Sequence, residues 1–206
     1  MKRVRILLWA LAALALVAFG ALLLRQPSLP QQSGPAPASL GGAFVLTGVD
    51  GEEFSSKELD GKPYAIFFGF THCPDVCPAT LARLIRLRRQ LEAGPDKLNI
   101  VFVTVDPERD GAAELKRYLG LFHEPLIGLT GTPAQIDQVK RQFGIFSQKV
   151  QDESGGYTVD HTATVLLFDR QGLFDATIAP DEGDEAALAK LRRLVDESAG
   201  SRTSTD

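Results

Sequence analysis

Cys73 and Cys77 are the only cysteines in the chain, and three residues separate them in the segment Phe68-Gly-Phe-Thr-His-Cys-Pro-Asp-Val-Cys-Pro78. A small scaffold stapled by disulfides needs more cysteines, spread further apart. One close pair reads instead as a reactive or metal-binding dithiol. The run Tyr64–Phe70 before it is continuously apolar, as in a strand buried on both faces, and Pro78 after it suits the first turn of a helix. A helix start offers free N–H groups and partial positive charge, which favour thiolate over thiol. The i, i+4 spacing puts both sulfurs on one face of such a turn. They can then close a disulfide or grip one ion, and spacing alone does not choose. A purely structural disulfide adds little here, because so short a loop carries little closure entropy.

Thiol–disulfide oxidoreductases of the thioredoxin type use C-x-x-C and a cis-proline ahead of the third core strand. Here the spacing is C-x-x-x-C, and no proline occurs between Pro133 and Pro180. Near the vacant proline position stands Asp160-His161, ahead of the apolar run Thr162–Phe168. In a thioredoxin-like topology that position faces the cysteine loop. His161 would complete a Cys₂His set, with Asp160 assisting it or shaping the loop. Two thiolates and an imidazole suit copper, Cu(I) above all, and zinc also accepts them. His72 beside the cysteine reads as a solvated side chain, and His123 as a cation after a helix C-terminus. Asp106-Pro-Glu-Arg-Asp110 reads as a turn whose aspartates cap the next helix, or else as a surface that docks a partner or shapes the copper loop.

The elements that must position these groups follow from hydrophobic period. Short strands at Phe44–Leu46 and Glu52–Phe54 flank a turn. Helices are expected at Pro78–Leu91, Gly111–Phe122, Thr132–Phe143 and from Asp184, and strands at Leu98–Val105 and Leu126–Leu129. A hairpin of Thr162–Phe168 with Leu173–Ile178 precedes the last helix. The expected class is α/β, a thioredoxin-like fold with an N-terminal β-hairpin and an extra strand–helix insertion. It occupies 43–198, before a polar tail at 199–206. Residues 26–42 hold four prolines, three glycines and no charge. They read as an extended tether of up to about 50 Å. In 1–25, Lys2, Arg3 and Arg5 precede the apolar run Ile6–Leu24. Those 19 residues form a helix of roughly 28 Å, matching a bilayer core, and exceed the usual core of a cleavable signal. The expectation is a single-pass anchor at a bacterial-type inner membrane, with the domain exported to the periplasmic side; the alternative is a signal peptide cleaved near Ala18-Phe19-Gly20, which exports the domain equally. A formal net charge of −4 argues against nucleic acid as a partner.

The cysteine segment, Asp106–Asp110, Leu126–Thr132 (LIGLTGT) and Asp160–Asp169 (DHTATVLLFD) together resemble the Sco/SenC family of copper chaperones. The resemblance runs from about Gly41 to Val195 and includes the single N-terminal anchor. It implies one copper per chain held by Cys73, Cys77 and His161, with Cys73 and Cys77 also forming a redox-active disulfide. It further implies a metallochaperone rather than an enzyme. Its partner would be the copper-bearing subunit of a cytochrome c oxidase, whose binuclear copper site it would load or prepare by reducing that site's cysteines. The alternative is a thiol–disulfide oxidoreductase acting on an exported partner, a role that needs Cys73 and Cys77 but not His161. A peroxiredoxin-type peroxidase fits poorly, since its reactive cysteine follows a threonine by three positions and Thr71 is two away.

Overall fold

The structure, a computed structural model, describes residues 40–200 apart from 93, 95, 96 and 152–154. The expected anchor, most of the tether and residues 201–206 lie outside the described residues. No helix among the described residues is long and apolar enough to cross a membrane.

The order is β1 (Val45–Gly48), β2 (Glu53–Ser55), β3 (Tyr64–Gly69), α1 (Val76–Gln90), β4 (Asn99–Thr104), α2 (Ala112–Gly120), β5 (Ile127–Thr130), α3 (Pro133–Gln142), β6 (Ser147–Gln151), β7 (Tyr157–His161), β8 (Val165–Phe168), β9 (Phe174–Ile178) and α4 (Asp184–Gly200). Seven strands form one sheet in the order β2-β1-β5-β4-β3-β8-β9. The β5-β4-β3 centre is parallel, and β1, β2, β8 and β9 join it antiparallel. This is the thioredoxin-like α/β fold, with β1–β2 as the added hairpin and β5–α3 as the inserted strand and helix.

Every residue of β3 and β4 is buried, so both faces of the sheet centre are covered. The aromatic core runs through Phe44, Phe68, Phe143, Phe168 and Tyr64, the last two stacked at 4.9 Å between ring centroids. Packing reaches back to Gly41, ahead of the Ala43 at which composition changes. Its N–H donates to the Gln142 carbonyl at 2.9 Å, and a Cβ there would sit 2.6 Å from the Phe168 ring. Thr132 and Gln135 form the capping box that starts α3.

Two expectations change. Helix α1 begins at Val76 rather than Pro78. Pro78 is its third residue, where the missing N–H is still one the helix leaves unpaired. Cys77 therefore sits in the first turn. The sequence also gave no sign of β6–β7, a separate two-stranded ribbon. Its residues are mostly exposed, so no apolar alternation announces it.

Helix α1 also buries Arg88, only 2% exposed, among its apolar residues. Its guanidinium donates to Glu124 Oε2 at 2.8 Å and to the Pro125 carbonyl at 3.1 Å. Hydrogen bonds from Arg89, and then from Arg88, hold the Glu124 carboxyl below its ordinary range. Removing one partner of a buried pair strands the other charge, which costs about 3–5 kcal/mol. Arg88 keeps the Pro125 carbonyl and Arg89 is solvated, so the lower end applies. Glu124→Ala should thus lose about 3 kcal/mol at pH 7, read from urea unfolding midpoints. A depressed folded pKa contributes stability above the unfolded value of 4.5 and loses it as pH falls through the folded value. The gap between wild type and variant should therefore shrink below about pH 4.5.

Candidate metal centre

Strand β3 and helix α1 place the two cysteines, and strand β7 places the histidine. The sulfurs of Cys73 and Cys77 and an imidazole nitrogen of His161 all lie within 4.8 Å of one another, and they are the one such group among the described residues. Cys77 is fully buried and forms the floor, while Cys73 and His161 are only partly buried. Cys73 Sγ accepts the Cys77 N–H at 3.4 Å, taking up a donor that the start of α1 leaves free. The Asp75 side chain makes no cap bond, so the sulfur stands where a capping oxygen would.

His161 Nδ1 lies 3.0 Å from the Thr162 carbonyl, which can only accept. Nδ1 therefore carries the proton, and Nε2 presents its lone pair 3.5 Å from Cys77 Sγ. Burial pushes the His161 pKa below its usual value, against the opposing pull of the Thr162 carbonyl and Asp160. The ring is thus neutral near pH 7 and competent as a ligand. Burial also drives the Cys77 thiol far up, with a hydrogen bond to the Phe70 backbone working the other way. Metal-free Cys77 is therefore a thiol, able to donate to Nε2, and a metal that takes this sulfur must displace a proton. Phe67 and Phe70 set their rings edge-on to the imidazole, at 6.1 and 5.7 Å between centroids, and wall the site.

The cysteine loop is tied down from behind. Fully buried Asp110 accepts from the Thr71 N–H at 2.9 Å, the Thr71 hydroxyl at 2.6 Å and the Thr104 hydroxyl at 2.7 Å. The capping role expected for the aspartates of Asp106–Asp110 is corrected by this. Gly111 is the residue that caps α2, and it does so without a side-chain bond. Asp110 turns back to the cysteine loop instead, and Asp106 turns toward β7. His72 stays outside the donor group, half-exposed, with Nδ1 donating to the Thr71 oxygen at 3.0 Å. His123 follows α2 in a left-handed conformation and joins no metal-binding group among the described residues. Asp160 makes no contact with the sulfurs beyond its field on His161.

Sequence reasoning gave no role at the site to Gly69, Thr71 or Tyr157, and read Arg109 only as part of the Asp106–Asp110 turn. Gly69 carried a signal, since a glycine inside an apolar strand marks close approach. A Cβ at Gly69 would stand 2.7 Å from Cys77 Sγ.

The SCO1/SenC family profile matches residues 32–196. The chain belongs to the SCO1/SenC family. It is 37% identical over 157 residues to "Protein SCO2 homolog, mitochondrial" of Mus musculus, covering 75% of this chain. The chain spans only 62% of that mouse protein's length. Among solved structures, Bradyrhizobium japonicum ScoI with copper bound is 43% identical with a TM-score of 0.69, covering 76% of this chain and 99% of that one. Yeast Sco1 with copper bound is 33% identical with a TM-score of 0.68, covering 82% and 96%. Two family members thus carry the metal that the donor set here fits by softness.

Proposed function

We propose that Cys73 Sγ, Cys77 Sγ and His161 Nε2 hold one copper ion, and that this Sco-family chain delivers it to, or prepares, the binuclear copper site of a cytochrome c oxidase. The observation that carries this reading is the convergence on one point of three donors, from the β3–α1 loop, the first turn of α1 and the end of β7, with Nε2 aimed by its own Nδ1 hydrogen bond. Soft sulfur favours Cu(I), and the only partly buried Cys73 and His161 leave the ion reachable by a partner's ligands. Preparation of the acceptor would use the same dithiol. Cys73, the more exposed sulfur, attacks an acceptor disulfide, and Cys77 resolves the mixed disulfide; the acceptor gains two electrons and Cys73–Cys77 becomes a disulfide. The family resemblance supports the oxidase as acceptor. The run Ile6–Leu24 after Lys2, Arg3 and Arg5 supports a single-pass anchor, and 26–42 a tether, with the domain at 43–198 on the periplasmic side of an inner membrane.

The test is copper titration of the reduced full chain and of the same chain oxidised to the Cys73–Cys77 disulfide. The expected result is one copper per reduced chain, with sulfur-to-Cu(II) charge-transfer bands on oxidation of the metal. The disulfide form should take up none, because both thiolates are gone. Equal uptake by the two forms, or none by the reduced chain, overturns the reading.

A further inference from the structure

The ribbon β6–β7 shares no hydrogen-bond ladder with the seven-stranded sheet, yet it ends in His161. Of its described residues only Val159 is buried. A two-stranded ribbon with so little apolar anchorage is not stable alone, so polar fastening must set its position. At its base the fastening is local. Phe146 N–H donates to Thr162 Oγ1 at 3.1 Å, Thr162 N–H to the Phe146 carbonyl at 3.0 Å, and Lys140 Nζ to Ser147 Oγ at 2.9 Å.

Toward the tip the fastenings of Lys149 and Tyr157 run to the single loop that follows β4. Tyr157 Oη donates to Asp106 Oδ1 at 3.0 Å. Arg109 Nη1 donates to the Tyr157 carbonyl at 2.9 Å, and its guanidinium carbon lies 3.7 Å from the Tyr157 ring centroid. Arg109 Nε reaches the other oxygen of Asp106 at 2.5 Å, and Lys149 Nζ reaches Glu108 at 2.6 Å. On the metal side the same guanidinium sits 5.9 Å from the ring of Phe70, which walls His161. The loop continues into the cysteine half. Thr104 Oγ1 accepts the Asp106 N–H at 2.9 Å and donates to Asp110, which holds Thr71 two residues before Cys73.

We infer that Asp106, Arg109 and Tyr157 form a latch that fixes where β7 presents His161 to the two sulfurs. One five-residue loop thereby registers both halves of the site. The three are positioning residues and bind no metal. Tyr157 lies four residues from His161 along an extended strand, about 13 Å, so its hydroxyl acts on the imidazole only through the ribbon. His161 is next to the hinge at Thr162, and tilting the ribbon turns the ring more than it moves it.

This inference rests on the proposed copper site, and the test separates the two. Tyr157→Phe keeps the ring under Arg109 and removes only the bond to Asp106; Arg109→Lys keeps the charge and loses the planar fork. In the full reduced chain, far below the unfolding midpoint, each should weaken copper binding measurably, by up to the roughly tenfold that losing a ligand's own hydrogen-bond partner costs, since these residues act on His161 one step further out. Each should also shift the sulfur-to-Cu(II) band, and move the His161 imidazole resonances of the metal-free chain. Dithiol exchange with a small disulfide should stay within twofold. A merely structural role lowers the urea midpoint but moves neither band, resonance nor affinity, and that pattern in both variants overturns the latch. If wild type itself takes no copper, the site reading fails first. The metal-free His161 resonances then still decide the latch, which falls if they are unmoved in both variants.

Discussion

Replacing His161 with Ala should raise the copper dissociation constant more than about a hundredfold, beyond the 10–100-fold that goes with loss of an outer partner. Dithiol–disulfide exchange at Cys73 and Cys77 should change by less than about threefold, because Cys73 is the reachable attacking sulfur. In the proposed site the imidazole is the third donor beside two sulfurs, and no other described histidine, cysteine or carboxylate joins that group to replace it. His72 is near in sequence, but its Nδ1 donates to the Thr71 oxygen, whose own proton is committed to Asp110. The fold is not at stake. His161 is half-buried at a strand end, and its ring touches Phe67 and Phe70 only edge-on. The Cys77 thiol loses its contact with Nε2, but burial has already raised its pKa far above neutral. Copper titration beside a thiol-exchange assay separates the two leading functions. Wild-type copper affinity in the variant would remove His161 from the metal site. Loss of both properties together would mean that His161 serves the dithiol as well as the metal.

Much of this is legible in the sequence, and the reasons are physical. Buried central strands announce themselves by continuous apolar runs, and β3 and β4 fall where Tyr64–Phe70 and Leu98–Val105 stand. Thr132-Pro133 marks the start of α3 within a residue. Cysteines that are the only two in a chain advertise themselves by count, and His161 by its place ahead of β8. The ribbon β6–β7 did not show, because strands exposed to water on both faces need no apolar alternation. The aspartates of Asp106–Asp110 looked like caps because a carboxylate before a helix usually is one. Their partners, Thr71 and Tyr157, are 39 and 51 residues away, and no local pattern encodes contacts at that separation. Buried Arg88 was hidden for the same reason, since its acceptors Glu124 and Pro125 lie 36 and 37 residues on.

Gly69→Ala should disable the copper site from beneath. The added methyl would stand 2.7 Å from Cys77 Sγ, 2.9 Å from Phe102 Cε2 and 3.2 Å from Phe67 Cε1. None of these is the free end of a flexible chain. Cys77 is fixed in the first turn of α1, and both rings are fully buried in the core, with centroids 6.1 Å apart. Overpacking of a closed core costs about 1–3 kcal/mol, so the variant should lose about 2 kcal/mol in urea unfolding. The sulfur is the nearest of the three neighbours and the one that belongs to the proposed metal site, so its share of the shift is the one that copper binding reads. That share lifts the floor of the site toward His161, and copper affinity should fall by at least about tenfold, as for other disturbances of ligand placement. Gly120→Ala is the control: it lies at the end of α2, and nothing stands within 4 Å of its added Cβ. That change should leave copper affinity unchanged and stabilise the chain by up to about 1 kcal/mol through the narrower unfolded state. A Gly69→Ala protein with wild-type stability and wild-type affinity would mean that the sulfur is not held against β3. Lower stability with unchanged affinity would mean that the rings yield and the ligand does not, which would take Gly69 out of the metal site and leave it in the core.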